Sequence, residues 1–174
     1  PAYGGSCFPK DTKAIAVIAD QYKLNLSIIK STIKSNENRR NLFKKRAFQI
    51  MKNKIKNKTI TFLGVTFKAN TDDMRESMCL KMIPVFLKKG AKLRYYDPSG
   101  KKKEINKKVK FCKNIQEACL KTDLIIIHTE WNEFKSLDFK NLVKKNNFKI
   151  YDMRNIYSSA KMKQKKINYF SVGR

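Results

Sequence analysis

The spacing of the apolar residues changes near residue 57, and this change constrains the fold more than any other feature of the sequence. Before it, apolar residues recur three or four positions apart, as in amphipathic helices. Two such stripes are Ile15, Ile18, Ala19 and Tyr22, and then Ile29, Ile33, Phe43, Ala47 and Ile50. We therefore expect a helix of three to four turns with Pro9 at its first position, followed by a longer helix capped by Asn25 or Ser27.

After residue 58 short apolar runs alternate with amphipathic stretches. The runs at 59–63, 92–96, 124–128, 149–151 and 167–172 predict strands, and the stretches at 79–88, 115–121, 139–144 and 159–165 predict helices. This alternation predicts a Rossmann-like α/β fold, a parallel sheet with helices on both faces. The lysine-rich stretch 53–58 marks a boundary, so we expect a helical segment over 1–56 and a Rossmann-like domain over 57–174.

The net charge of +26 invites a nucleic-acid interpretation, but the composition weakens it. Of the 40 basic residues 33 are Lys, and they occur with 15 Asn and 17 Ile, as A/T-rich codons would produce. The lysine clusters lack the interleaved aromatics of a stacking surface, so we interpret them as solvated faces without a specific nucleic-acid partner.

Neither a signal peptide nor an apolar run of the roughly 18 residues that a membrane span needs is visible, so a soluble cytoplasmic protein is expected. The four cysteines have no C-x-x-C spacing and there is one histidine, so we expect reduced thiols and no metal site.

Charged residues follow the predicted strands, at the edge where parallel α/β sheets bind ligands. Lys68 and Arg75 follow the first predicted strand, Asp97 the second, Glu130 the third and Arg154 the fourth. The first turn, GVTFK at 64–68, has one glycine where a dinucleotide-binding turn has three. We therefore expect this domain to hold something other than a dinucleotide in the usual pose.

Cys7 precedes Pro9, so its sulfur is expected near a helix N-terminus. The partial positive charge there, together with Lys10, would favour a nucleophilic thiolate, and Asp11 could activate a water or orient Lys10. An isolated cysteine at a helix start is more often a small buried hydrophobe. Spacing alone therefore leaves both interpretations open.

Four sequence blocks together resemble the UDP-glucose/GDP-mannose dehydrogenase family, most closely its UDP-glucose 6-dehydrogenase branch. They are YGGSCFPKD at 3–11, GVTFKANTDDMRES at 64–77, TEWNEF at 129–134 and DMRN at 152–155. The resemblance runs nearly end to end and implies the C-terminal portion of an NAD-dependent enzyme that oxidises UDP-glucose to UDP-glucuronate, used for surface polysaccharide. The family's amino-terminal dinucleotide domain is absent from the sequence, so we expect this piece alone to be inactive.

The resemblance also implies roles for individual residues. Cys7 would be the nucleophile that forms a thiohemiacetal and then a thioester, with Lys10 near the reacting centre and Asp11 in the water-dependent steps. Substrate-binding positions are Tyr3, Gly4, Phe67, Lys68 and Arg154, and cofactor-binding positions are Cys7, Lys10 and Arg75. The family places the long helix, near 28–51, in a dimer interface, so we expect a homodimer through the helical segment.

Other interpretations stay open. Arg75 lies among acidic residues and could be a local ion-pair partner, and Lys68 is one of 33 lysines. His128, Trp131 and Phe134 are expected to be structural, and Cys79, Cys112 and Cys119 match no functional block. Lys102 is expected to be an ordinary exposed lysine. At the level of function the alternatives are a GDP-mannose or UDP-N-acetylmannosamine dehydrogenase, a non-catalytic UDP-sugar-binding or dimerisation module, and a basic nucleic-acid binder.

Overall fold

A six-stranded parallel sheet forms the centre of the computed structural model, which describes residues 1–173. Its strands are β1 Thr59–Leu63, β2 Lys92–Tyr96, β3 Lys110–Phe111, β4 Leu124–Ile127, β5 Lys149–Asp152 and β6 Asn168–Ser171. They pair in the order β3-β2-β1-β4-β5-β6. All pairs are parallel. Strands β1 to β3 are added toward one edge of the sheet and β4 to β6 toward the other, so the strand order reverses between β1 and β4 and creates a crevice at their carboxyl ends. The predicted Rossmann-like fold is confirmed.

Within residues 1–173 there are six α-helices. They are α1 Cys7–Gln21, α2 Ser27–Ile50, α3 Met78–Lys88, α4 Ile115–Cys119, α5 Phe139–Val143 and α6 Ser159–Gln164, and a 3-10 helix spans Asn132–Phe134. Helix α1 packs on α2, and the other five flank the sheet. One core lies under α2 and α3, and a second lies under α4, α5 and α6. Successive residues of β1 serve different cores, Phe62 the first and Leu63 the second, because neighbouring side chains of a strand point to opposite faces.

Two predicted helix starts are wrong. Helix α1 begins at Cys7 with Ser6 as its N-cap, so Pro9 is the third helical residue. A proline is tolerated there because the first N–H groups of a helix have no intrahelical acceptor. Helix α2 begins at Ser27 and its N-cap position is Leu26. No side chain caps it, so neither Asn25 nor Ser27 acts as the cap that was predicted.

The loop after β2 contains a second correction. Asp97 to Gly100 form the expected turn, closed by a hydrogen bond of 2.9 Å from the Gly100 N–H to the Asp97 carbonyl. Lys102, expected to be exposed, is instead buried. Its backbone N–H donates to the Tyr95 hydroxyl at 2.8 Å and its Nζ donates to the Ser99 carbonyl at 3.1 Å. The lysine is therefore part of the structure that closes the end of β2.

Helix α1 and the start of α2 leave an apolar surface uncovered. Ile15, Ile18 and Tyr22 are exposed, and Ala19 is the buried member of the predicted stripe. Ile28, the second residue of α2, is 79% exposed. Ile15 and Ile18 on α1 and Tyr22 at its C-cap recur at helical spacing, and several exposed apolar residues on one helix are typical of an interaction site. Within residues 1–173, no helix combines the length and the apolar character that crossing a membrane requires.

Candidate functional site

The loops that follow β1, β4 and β5 meet at the crevice, and Arg154 joins them. Its Nε donates to the His128 carbonyl at 2.9 Å, and its Nη2 donates to the Phe67 carbonyl at 2.8 Å. Glu130 Oε2 lies 2.7 Å from the same Nε. Burial lowers the pKa of Arg154, while the charges of Glu130 and Asp152 act against this. The predicted substrate-binding arginine is thus also a structural link between three loops.

Lys68 and Phe67 lie on the β1 loop. Phe67 is half-buried, and Lys68 is exposed with its Nζ 5.5 Å from the centre of the Phe67 ring. Among residues 1–173, Lys68 makes no ion pair with a carboxylate. Its charge therefore faces solvent on the loop that follows β1, where an anionic ligand could reach it.

The amino-terminal loop is pressed against the β1 loop. Gly5 donates its N–H to the Arg75 carbonyl at 2.8 Å. A Cβ at Gly5, whose φ is +86°, would lie 2.8 Å from Phe67 Cε2, and one at Gly4 would lie 2.6 Å from the Glu76 carbonyl oxygen. Both glycines are therefore needed for close approach, and they bring the block at 3–11 onto the block at 64–77.

Cys7 faces an open cleft of about 630 Å³ in which Lys10 and Arg75 also take part. Its remaining lining residues are Gly5, Ser6, Pro9, Lys13 and Glu76. The thiol is exposed at the first residue of α1, and Ser6 Oγ is 3.5 Å from its Sγ. The helix N-terminus and the side chains of Lys10, Lys13 and Arg75 bring positive charge to this cleft, and the Glu76 carboxylate, 3.9 Å from Lys13 Nζ, offsets part of it.

Two of the predicted polar residues are already paired. Arg75 is held by Asp73, with an Nη2 to Oδ2 distance of 2.8 Å, and this hydrogen bond lowers the pKa of Asp73. The local ion pair considered for Arg75 is therefore present, although with Asp73 alone among the three neighbouring acids. Asp11 does not line the cleft, and its carboxylate lies 3.4 Å from Lys10 Nζ on an exposed surface.

Helix α2 supplies two residues that sequence reasoning missed. Asn36 accepts the Tyr3 N–H at 2.9 Å and donates to the Tyr3 carbonyl at 3.3 Å. Arg40 is buried, and its Nη2 donates to the Tyr3 carbonyl at 3.3 Å and to Glu76 Oε2 at 2.8 Å. Asn36 and Arg40 share the helix face of Phe43 and Ala47, so polar residues on an otherwise buried stripe were the available signal.

The residues expected to be structural are buried or half-buried. His128 is enclosed with its Nδ1 3.0 Å from Thr129 Oγ1, and burial lowers its pKa well below the ordinary value, so the ring is neutral. Phe134 is fully buried and Trp131 packs at the edge of the same core. Cys79, Cys112 and Cys119 are buried, and burial raises the pKa of each thiol.

Family models and curated proteins match most of the chain. The UDP-binding domain of the UDP-glucose/GDP-mannose dehydrogenase family matches residues 61–159, and the central domain of that family matches residues 1–38. UDP-glucose 6-dehydrogenase of Rickettsia prowazekii is 37% identical over 99% of this chain, and that of Rhizobium meliloti is 35% identical over the whole of this chain. The chain spans 41% and 40% of these two relatives.

Solved structures of the same kind share the fold. A UDP-glucose dehydrogenase from Pyrobaculum islandicum gives a TM-score of 0.77 at 26% identity, covering 91% of this chain and 36% of that one. A UDP-D-ManNAc dehydrogenase from Pyrococcus horikoshii gives a TM-score of 0.81 at 25% identity, covering 99% of this chain and 39% of that one. With a family model matching more than half of its residues, the chain belongs to the UDP-glucose/GDP-mannose dehydrogenase family.

Proposed function

We propose that this chain is the C-terminal portion of an NAD-dependent UDP-glucose 6-dehydrogenase, which oxidises UDP-glucose to UDP-glucuronate. The observation that carries the proposal is the position of Cys7. It lies at the first residue of α1, in a cleft shared with Lys10 and Arg75, and its loop packs on the loop of Phe67. The names of the curated relatives support the same substrate.

The crevice between β1 and β4 suits a UDP-sugar. Lys68 is exposed on the loop that follows β1 and can meet a diphosphate by a charge-assisted contact. Phe67 is beside it, the Tyr3-Gly4 loop adjoins Phe67, and Arg154 holds the Phe67 carbonyl. In this proposal Arg154 contacts the nucleotide portion and also fixes the loop that carries Phe67 and Lys68.

The chemistry assigned to this chain takes place on the Cys7 sulfur. The thiolate adds to the C6 aldehyde produced by the first oxidation and forms a thiohemiacetal. Loss of a second hydride converts this adduct to a thioester, and water releases the carboxylate and the thiol. Overall one alcohol, one water and two NAD+ become one carboxylate, two NADH and three protons. Lys10 supplies positive charge beside the reacting carbon. The resemblance to the family assigns Asp11 to the water-dependent steps, and its carboxylate lies outside the cleft, 3.4 Å from Lys10 Nζ.

NAD+, when bound, accepts one hydride in each of the two oxidations. Lys10 and Arg75 lie exposed beside Cys7, and each pairs with an aspartate that a neighbouring anionic cofactor would replace. The β1 turn does not fit the pyrophosphate, because its N–H groups donate within the protein. We therefore propose that most cofactor contacts come from the part of the relatives that this chain does not cover.

We further propose two units, 1–56 for the active-site loop and dimerisation and 57–174 for UDP-sugar binding. The separate family models at 1–38 and 61–159 support this division. The exposed apolar residues of α1 and α2 support a homodimer through the helical segment. Four free cysteines suit the reducing cytoplasm, which is the proposed location.

The test is Cys7→Ser in the complete protein, with UDP-glucuronate formation as the readout. Since a hydroxyl is a far weaker nucleophile than a thiolate at neutral pH, we expect a loss of about a thousandfold or more. Cys112→Ala is the matched control, because this thiol is buried away from the cleft, and it should retain activity. Unchanged product yield in Cys7→Ser would remove Cys7 from the mechanism. GDP-mannose and UDP-N-acetylmannosamine in the same assay test the choice of sugar.

A further inference from the structure

The first four N–H groups of the β1 turn are not available to a phosphate. Each N–H of residues 64–67 donates to a partner inside the protein. The four pairs are Gly64 to the Tyr96 carbonyl at 2.9 Å, Val65 to Asp97 Oδ2 at 2.7 Å, Thr66 to the same oxygen at 3.3 Å, and Phe67 to the Asp73 carbonyl at 3.1 Å. Of these acceptors, Asp97 is the one provided by a side chain.

Asp97 is turned toward the turn. In a dinucleotide-binding fold the corresponding amides receive a pyrophosphate, and an acidic residue further on binds a ribose hydroxyl. Here Asp97 follows β2 and is 1% exposed. Its Oδ2 accepts the Val65 and Thr66 N–H groups, while its Oδ1 accepts the Ser99 N–H at 3.0 Å and the Ser99 hydroxyl. The carboxylate therefore takes the role that the phosphate has in the related folds.

The carbonyls of the same turn are also bound, which makes its conformation strongly determined. Val65 accepts from Ser77 Oγ at 2.6 Å, Thr66 accepts from Thr129 Oγ1 at 2.7 Å and Phe67 accepts from Arg154 Nη2 at 2.8 Å. Asp97 and Arg154 thus hold the turn from opposite sides of β1. Asp97 follows the neighbouring strand β2, and Arg154 follows β5, which lies beyond β4 on the other side. This fixed backbone determines where the side chains of Phe67 and Lys68 begin.

We propose that Asp97 is a positioning residue for UDP-sugar binding. Its carboxylate oxygen acts as an internal hydrogen-bond acceptor that fills the phosphate place of the β1 turn and fixes the backbone that presents Phe67 and Lys68 to the crevice. This inference rests on the proposed function, because affinity for UDP-glucose is one of its readouts. It also explains why a fold of this kind takes its ligand phosphate on a lysine side chain instead of on backbone amides.

The first variant is Asp97→Ala, with UDP-glucose titrated into the chain by calorimetry. It leaves the Val65 and Thr66 amides without an acceptor, and we expect affinity to fall by about tenfold or more. Asp97→Asn keeps a carbonyl oxygen for both amides, and its nitrogen can donate to Ser99 Oγ, so among these partners the Ser99 N–H alone loses its acceptor. We expect this conservative variant to rescue binding to within about threefold of the original chain.

Asp123→Ala is the matched control, because Asp123 also accepts a β1 amide. Its Oδ2 takes the Thr59 N–H at 2.9 Å, at the opposite end of the strand from the crevice. Both Ala variants should lower the free energy of unfolding, but Asp123→Ala should bind UDP-glucose as the original chain does. If Asp97→Ala does not fold, Asp97→Ser takes its place, since a shorter polar side chain leaves room for water at the two amides.

Amide hydrogen exchange of Val65 and Thr66 separates this inference from the proposed function. Exchange should be slow in the original chain and in Asp97→Asn, and about tenfold or more faster in Asp97→Ala. Unchanged exchange, unchanged affinity in Asp97→Ala, or an equal loss of affinity in Asp123→Ala would each overturn the inference. A folded original chain that does not bind UDP-glucose would contradict the proposed function. The inference, which is a statement about UDP-glucose binding, would then fail too, whatever the exchange result.

Discussion

A glycine at position 5 determines how closely the Cys7 loop can approach the domain that carries Lys68. Its φ of +86° lies in the left-handed region, and a Cβ there would lie 2.8 Å from the Phe67 ring. Gly100 has nearly the same backbone conformation, with φ at +88°, but no atom lies within 4 Å of its Cβ position. A side chain at either position would cause backbone strain, but only a side chain at Gly5 would also overlap a neighbouring residue.

We expect Gly5→Ala to destabilise the chain more than Gly100→Ala. Each variant incurs about 1–2 kcal/mol for the left-handed backbone, and Gly5→Ala adds about 1–3 kcal/mol for overpacking against Phe67. Urea unfolding of both variants measures the difference. Equal losses of unfolding free energy would show that the Cys7 loop does not pack on Phe67.

For individual residues, the sequence predicted which charged side chains follow the strands, but it did not predict the burial or the hydrogen-bond partners of every one. Arg154, Asp97 and Lys68 follow strands as expected, because the strand positions were visible from apolar runs. Lys102 was not predictable, since it lies in a lysine cluster and its burial depends on the Tyr95 hydroxyl. The role of Arg40 depends on partners 36 and 37 residues away, which no local pattern contains.

Helix α2 is the element that connects the amino-terminal loop to the loop after β1. Through Arg40 it binds the Tyr3 carbonyl and Glu76, which follows Arg75 directly in the chain. Burial alone would raise the pKa of Glu76, but the hydrogen bond from Arg40 and the charges of Arg40 and Lys13 outweigh it and lower the pKa. The folded chain therefore favours the ionised Glu76.

We expect Arg40→Met to lower the free energy of unfolding by about 2–3 kcal/mol at pH 7, since it removes a hydrogen bond to a charged group. Because the folded pKa of Glu76 is depressed, its contribution is present above the ordinary glutamate pKa and is lost as pH falls through the folded value. The difference from the original chain should therefore shrink on acidification. Arg39→Met is the control, because Arg39 is exposed on the same helix and should cost about 1 kcal/mol or less. A difference that does not depend on pH would exclude the Arg40–Glu76 pair as its source.

Strand and helix positions were predictable where apolar periodicity was strong. The bounds of β1 and β2 are those expected, and the other predicted strands and the helices of the sheet domain differ by a few residues at their ends. Strand β3 was missed because it has two residues at the sheet edge, too few for a periodic pattern. The start of α1 was misplaced because Pro9 is tolerated throughout the first helical turn.

The whole molecule combines an uncovered apolar surface with a net charge of +26. The charge opposes self-association most at low salt, where the screening length is about 30 Å at 0.01 M and falls to about 8 Å at 0.15 M. We expect sedimentation velocity to show association that increases with salt and is lost in Ile18→Asp. Leu120→Asp, at an exposed leucine after α4, should associate as the original chain does. Association that weakens with salt, or that Ile18→Asp leaves unchanged, would contradict an apolar interface on α1.

The chain alone should not reduce NAD+ when given UDP-glucose. Its β1 turn has one glycine, and the N–H groups of that turn donate to Asp97 and to backbone carbonyls. Following NADH absorbance with the purified chain checks this expectation. Steady NADH production would show that cofactor binding does not need the part of the relatives that this chain lacks.

Calorimetric titration of the chain with UDP-glucose tests the central claim most directly, because a built diphosphate site must be distinguished from general adhesion to a cationic surface. We expect weak but saturable binding that is tighter than that of glucose 1-phosphate. A charge-assisted contact is worth about 1.5–3 kcal/mol, so Lys68→Ala should weaken UDP-glucose by roughly ten- to a hundredfold. Lys101→Ala, at an exposed lysine, should change the affinity little. Equal small effects in both variants would mean that Lys68 is an ordinary solvated lysine and that the proposed UDP-glucose site is wrong.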